Sequence, residues 1–338
     1  MERLADLTEG RLLRRIFPLF GQGSAVLVGP GDDAAVLRAA SGSVVASTDS
    51  MVSGLDWRDD WSSARDIGRK VAVQNVADIA AMGAVPTGLL VSLLADPDVA
   101  VEWVLDLARG IAEVAELAGA SVVGGDLSAA PPGVVVVSVT ALGDLEGRQS
   151  VLRSGARPGD EVAVCGSLGL SGAGLALYAG GTPVPDPARP GSPRDEAVAE
   201  LMAIHRTAGR PPWEAGPEAA DAGARAMIDV SDGLVTDLGR VAAASGVSVE
   251  LSGQVLRSEF AGRGPLAAAL SDDEAMAQVL SGGEEHSLVA SFPPGSVPRG
   301  GTAPWVVIGR ATSPGPSGPE VTVDGVVPRV RGWDHFAG

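Results

Sequence analysis

The stretch "GPGDDAAVL" places Asp32 and Asp33 side by side between a glycine turn and an apolar run. Adjacent carboxylates repel unless solvent or a cation takes them up. Gly, Pro and Asp are turn formers, so a solvated turn explains one such pair by itself. Four further segments repeat the setting. Asp49 follows the β-branched "VVAST", where a strand is expected to end, and Asp126 follows "SVVGG", whose glycines would let backbone approach a ligand closely. Asp78 sits in "VAVQNVADIAAMGA", a helical pattern apolar on nearly every face, where a carboxylate needs a partner or a metal. In "AMIDVSDGLVTDLG", Asp229 ends an apolar run and Asp232 follows just before Gly233 opens a helix, whose unpaired N–H groups favour anions. A cap or a turn accounts for any one of these; the set together reads as a hard-cation site. Mg²⁺ takes oxygen ligands, keeps waters, and is commonly held by a few carboxylates together with substrate phosphates.

Other chemistries find less support. No G-x-x-x-x-G-K-[ST] loop surrounds Lys70, the only lysine, and no G-x-G-x-x-G opens a helix after a strand. The three histidines are widely spaced without H-E-x-x-H, and "GLSGAG" lacks the spacing of a nucleophile elbow. That glycine-rich stretch reads as a packed helix of small residues. "GGEEHSL" sets Glu284 and Glu285 after a glycine pair, a turn or a substrate contact with equal claim. "GWDHFAG" offers Trp333 as a terminal anchor or as a stacking surface for a flat ligand.

Positioning these groups requires a sizeable scaffold. A chain of 338 residues suits two domains of roughly 100–200 residues each. Its net charge of −17 argues against nucleic acid and anionic membranes as partners. Cys165 is the only cysteine, which excludes internal disulfides and Cys-based zinc sites. The charged N-terminus lacks a signal-peptide core, and "VVVVSVTAL" is far too short for the roughly 20 residues of a membrane helix. A cytoplasmic protein is expected.

Periodicity predicts an amphipathic helix over residues 2–20, a strand over 43–48, a long helix ending near Gly83, a strand over 87–95, a helix ending at Gly119, and strands at "SVVGGD" and "GVVVVSVTAL". After the Gly/Pro-rich "RSGARPGD" the mixture restarts with a strand at 161–165, so the boundary is expected near 150, giving domains 1–150 and 151–338. Helices near 194–208, 233–244 and 272–281 and strands at "ARAMIDV", "VSVEL", "HSLVASF" and "PWVVIG" complete a mixed α/β class.

The ordered set "GPGDDAAVL", "STDSMVSG", "QNVADIAAMGA", "VGGDLS", "RSGARPGDEVAVCG", "IDVSDGLVTDLG", "SGGEEHSL" and "GWDHF" resembles the thiamine-monophosphate kinase family over nearly the whole chain. Single segments also resemble relatives such as aminoimidazole ribonucleotide synthetase, selenophosphate synthetase and a hydrogenase maturation factor. The resemblance implies a two-domain fold of the aminoimidazole ribonucleotide synthetase type, with N-terminal domains paired across strands into a homodimer. It implies in-line transfer of the γ-phosphoryl group of ATP to thiamine monophosphate, assisted by several Mg²⁺ ions; the need for a monovalent cation stays open. By position in the family pattern, Asp33, Thr48, Asp49, Asp78, Asp126, Asp229 and Asp232 would be metal ligands. Gly125, Asp126, Arg153 and Ser231 would contact ATP, and Asp56, Glu284 and Trp333 would line the acceptor site. The family usually carries histidine where "GLDW" has Asp56. A second ATP-dependent synthetase of the superfamily, or a non-catalytic Mg-nucleotide sensor, are the alternative readings.

Overall fold

The N-terminal segment expected as one helix is broken into three pieces. Helix α1 (Glu9–Ile16) lies between short 3-10 turns at Leu4–Asp6 and Phe17–Leu19. Thr8 starts α1 in an extended conformation, and Pro18, which lacks an N–H, stops it from continuing. Only Leu12 and Ile16 of α1 are buried. The computed structural model describes residues 2–30, 34–185, 191–330 and 332. It divides into one unit of Met1–Ile79 with Ala84–Gly147 and another of Ala80–Gly83 with Arg148–Gly338.

In the first unit β1 (Val26–Val28) and β2 (Val36–Leu37) form a short antiparallel ribbon. The main sheet contains β3 (Val45–Val52), β4 (Val85–Ala95), β5 (Ser121–Ala129) and β6 (Val135–Asp144) in the order β3-β6-β4-β5. Only β4 and β5 run parallel. Helices α2 (Ala64–Ala81) and α3 (Val101–Leu117) belong to its core. Ile67, Val71, Val73, Val76 and Ile79 of α2 are completely buried. The two helices cross at glycines, because a Cβ on Gly68 would come 2.1 Å from the Leu107 carbonyl oxygen, and one on Gly110 would come 2.1 Å from that of Arg65. Arg65 and Arg69 of α2 pair with Glu113 of α3 beside this crossing.

Two expected strand ends move. β3 pairs with β6 over eight residues, so Asp49 lies within the strand, and β5 extends to Ala129, so Asp126 does too. Ladder pairing continues through these polar residues because neighbouring strands, rather than side-chain polarity, decide where a strand stops.

The second unit is built on a six-stranded sheet. Its strands are β7 (Glu161–Cys165), β8 (Ala226–Asp229), β9 (Ser248–Leu251), β10 (Leu288–Phe292), β11 (Trp305–Thr312) and β12 (Val321–Val323). The order is β12-β9-β11-β7-β10-β8, antiparallel except for β12 on β9. The glycine-rich stretch is indeed a helix, α4 (Leu170–Ala179), packed on α5 (Pro193–Thr207) where a Cβ at Gly174 would come 2.2 Å from the Leu201 carbonyl. α6 (Ala215–Asp221) precedes β8, and α7 (Leu234–Ser245) leaves it through Gly233. α8 (Gly253–Leu256), α9 (Gly264–Ala269) and α10 (Asp272–Ser281) follow; Ser192 and Ser271 close capping boxes with Asp195 and Glu274 on α5 and α10. Among the described residues no helix is long and apolar enough to cross a membrane.

Candidate active site

The first unit presents its expected ligands on both faces of the sheet. Because successive side chains alternate, Thr48 and Ser50 project from the face opposite that of Ser47 and Asp49. On the open face Ser50, Ser138, Ser92 and Asp126 form one rung across all four strands, and Thr48 and Thr140 lie one rung away. Thr140 Oγ1 donates to Thr48 Oγ1, which in turn donates to the Val139 carbonyl, both at 3.0 Å; the Ser50 and Ser138 hydroxyls meet at 2.5 Å. Thr48 and Asp126 share this face but stand three strand spacings apart, about 14 Å. They cannot share one ion.

On the other face α2 supplies the partners. Ser47 Oγ donates to Asp78 at 2.5 Å, and the Asp49 N–H, pointing outward from edge strand β3, donates to Asn75 Oδ1 at 3.0 Å. Asn75 is completely buried and donates back to the Val71 carbonyl, so it fixes β3 at Asp49. Only its place three residues before Asp78 hinted at this role. Asp56 accepts the Val52 N–H at 2.7 Å and thereby closes the turn that ends β3.

Gly125 has a different reason for being glycine than the ligand approach expected for it. It pairs with Val91, and a Cβ would lie 1.8 Å from the Val91 carbonyl oxygen, so the close approach is to the neighbouring strand. Asp126, exposed and accepting from Ser128 Oγ at 2.9 Å, borders a cavity of about 890 Å³ lined by residues of both sheet faces and by α3. Arg14, Phe17, Pro30, Ala34 and Leu90 also line it. Asp33 and its neighbour Asp32 lie outside the described residues.

In the second unit the loops carrying Asp229, Ser231, Asp232 and Glu284 meet. Asp229 closes β8, is 3% exposed, and its carboxylate meets His286 Nδ1 at 3.1 Å. The Glu284 N–H donates to the Ser231 carbonyl and the His286 N–H to that of Val230, so the "VSDG" and "GGEEH" loops are clamped together. Glu284 and His286 both adopt positive φ, 60° and 52°, unusual for side chains with a Cβ. Glu284 Oε2 lies 3.2 Å from His205 Nδ1 of α5, which also contacts Ser171 Oγ at 3.3 Å. Glu285 turns inward instead: it accepts from Ser167 Oγ and the Ser171 N–H, and burial pushes its carboxyl up to about 7.

The N–H groups before α7 are not open to an anion as expected. Ser231, Asp232 and Gly233 all donate to Asp237 Oδ2, at 3.0, 2.9 and 3.1 Å. Asp237 is fully buried, and burial pushes it up to about 7, against those N–H groups and Arg240, which favour its charge. Arg240 bridges Asp237 and Asp232. Gly332 packs on the same loop, since a Cβ there would come 2.0 Å from the Asp232 carbonyl; Trp333, next in sequence, lies outside the described residues. Arg153 is set apart. Its carbonyl accepts from Ser245 Oγ at the C-terminal end of α7, about 18 Å along the helix from Ser231.

Among the described residues no three His, Cys, Asp or Glu side chains converge into a metal cluster. The donors present are carboxylates and a hydroxyl, which suit a hard cation that completes its shell with water and phosphate.

Two family models cover the chain. The AIR synthase related protein N-terminal domain matches residues 31–145 and the corresponding C-terminal domain matches residues 157–291. A thiamine-monophosphate kinase of Mycobacterium tuberculosis is 43% identical over 335 residues, spanning 99% of this chain and 92% of the relative. The chain belongs to the thiamine-monophosphate kinase family. A kinase of that family from Stenotrophomonas maltophilia K279a superposes with a TM-score of 0.77 at 28% identity, covering 94% of this chain and 96% of the other. The structure described as AaThiL complexed with AMPPCP and TMP superposes with a TM-score of 0.70 at 28% identity, covering 90% and 91%. The two-domain aminoimidazole ribonucleotide synthetase-like fold with mixed sheets is therefore that of thiamine-monophosphate kinases.

Proposed function

We propose that this protein transfers the γ-phosphoryl group of ATP to thiamine monophosphate, giving thiamine diphosphate and ADP. The carrying observation is the 43% identity to a thiamine-monophosphate kinase along 99% of the chain. The likeness to AaThiL with AMPPCP and TMP supports the same substrate pair.

The chemistry asks little of a general base. The acceptor is a phosphate monoester whose second pKa is about 6, so it is largely dianionic at neutral pH. What opposes reaction is repulsion between two polyanions, and its relief is electrostatic. Thr48, Asp49, Asp78 and Asp126 in the first unit, Asp229 and Asp232 in the second, and Asp33 by family position would hold several Mg²⁺ ions, which neutralise phosphate charge when bound. Gly125, Asp126, Ser231 and Arg153 would receive the nucleotide, Ser231 through its side chain because its N–H is committed to Asp237. Glu284, its carboxylate held by His205, would face the cationic part of the acceptor, with Trp333 stacking beside it. In this reading domain 1–150 carries ATP- and metal-binding groups and the homodimer contact, and domain 151–338 completes the active site. The half-exposed Leu90 and Leu94 on the open sheet face support pairing with a second copy. A cytoplasmic setting supplies the ATP.

Asp56, standing where the family usually carries histidine, is the feature that would favour a sensor. Its hydrogen bond to the Val52 N–H gives it a turn-closing job compatible with a working acceptor site, so no second reading is carried. ADP release measured with and without thiamine monophosphate tests the proposal: acceptor-dependent release supports it, and release indifferent to the acceptor refutes it.

A further inference from the structure

Arg240 occupies a position that the proposed reaction does not use. It stands on α7 one turn after Asp237 and two turns after Asp232, and its guanidinium reaches both carboxylates, Asp237 Oδ1 at 2.5 Å through Nη1 and Asp232 Oδ2 through Nη2. The two contacts differ in kind. Asp237 is fully buried and fastened by three backbone N–H groups, so it cannot move away. The side chains of Asp232 and Arg240 are 20% and 39% exposed, so their contact can exchange with solvent species. Without Arg240, the neighbouring carboxylates of Asp229 and Asp232 would repel that of Asp237 with less charge to offset them.

We propose that Arg240 is a cationic place-holder: it neutralises Asp232 when no divalent ion is bound, and it releases Asp232, while staying on Asp237, when an ion binds there. This rests on the reading of Asp232 as a metal ligand. A planar guanidinium suits the task because its separate N–H groups serve two carboxylates at once, so losing one leaves it anchored by the other. The consequence is a lower intrinsic affinity for the free ion, since the ion must displace a charge already in place. Asp237 is then a positioning residue that holds both the turn and the place-holder.

Mn²⁺ binding to the full chain, followed by the electron paramagnetic resonance signal of the free ion, tests this in the wild type, Arg240→Gln and Asp232→Asn. The proposal expects Arg240→Gln to bind Mn²⁺ about fivefold more tightly, the weight of one partly exposed ion pair. It also expects that variant to melt at a lower temperature without metal and to recover when Mn²⁺ is added. Asp232→Asn should bind more weakly than the wild type. Affinity in Arg240→Gln equal to or below that of the wild type, with Asp232→Asn weakened, overturns the place-holder and spares the ligand assignment. Unchanged affinity in Asp232→Asn overturns the ligand assignment itself. Should Arg240→Gln fail to fold, the wild-type Arg240 Nε–H resonance during a Mg²⁺ titration decides. A saturable shift supports the exchange, and a resonance that stays fixed while Mg²⁺ binds refutes it.

Discussion

Replacing Glu285 by glutamine should change how the second unit's stability depends on pH. Burial is the main force on this carboxyl, raising it from 4.5 to about 7, while Ser167, the Ser171 N–H and His286 pull it down. The folded chain therefore keeps the proton to about pH 7, and the unfolded chain releases it near 4.5. Stability from this group is complete below pH 4.5 and is lost as pH rises through 7. The total loss is about 3 kcal/mol at roughly 1.4 kcal/mol per pH unit. About 1 kcal/mol is already gone at pH 5, leaving about 2 kcal/mol to disappear by pH 8. Glutamine does not titrate, and its amide can still accept the Ser171 N–H. Urea unfolding followed by tryptophan fluorescence at pH 5 and pH 8 should show the variant gaining about 2 kcal/mol on the wild type between the two. A difference that stays constant with pH would refute the buried, protonated carboxyl.

Other perturbations probe other parts of the structure. Asp49→Asn and Asp229→Asn should each lower turnover by about 100-fold or more while leaving the circular dichroism spectrum unchanged; a near-wild-type rate removes that residue from the site. Gly125→Ala pushes a methyl group into the Val91 carbonyl and should destabilise the first unit by about 3 kcal/mol. An unchanged melting temperature would mean β4 and β5 do not approach so closely. Burial, with Glu218 and Glu214 adding, pushes the Cys165 thiol up to about 12, so iodoacetamide at pH 8 should label it only after unfolding. Prompt labelling of the native chain would contradict its packing in β7.

What could be read from the sequence was mostly what repeats. Helical and strand periodicity located α2, α3, β4 and β7 because each buries a continuous apolar set against its own unit. The short helices α6, α8 and α9 left no such pattern, being alanine- and glycine-rich segments fixed by tertiary packing. Asp49 and Asp126 were read as strand ends because a carboxylate looks like punctuation; ladder pairing carries both strands past them. In the second unit Asp229, Asp232 and Glu284 were legible as candidate site residues, but the groups that hold them were not. Asp237, Arg240 and His205, like Asn75 in the first unit, act through contacts with partners as much as 79 residues away along the chain, as His205 does with Glu284. Asp237 had a clear local signal, since an acid four residues into a helix can fold back on the N–H groups before it.

The most direct measurement follows the transferred group itself. The purified chain is given Mg²⁺, thiamine monophosphate and ATP carrying ¹⁸O on its γ-phosphoryl oxygens, and the products are weighed by mass spectrometry. The account predicts thiamine diphosphate formed one-for-one with ADP, with the label in its terminal phosphate. Label appearing only in inorganic phosphate, or ATP left intact in the presence of the acceptor, would contradict it.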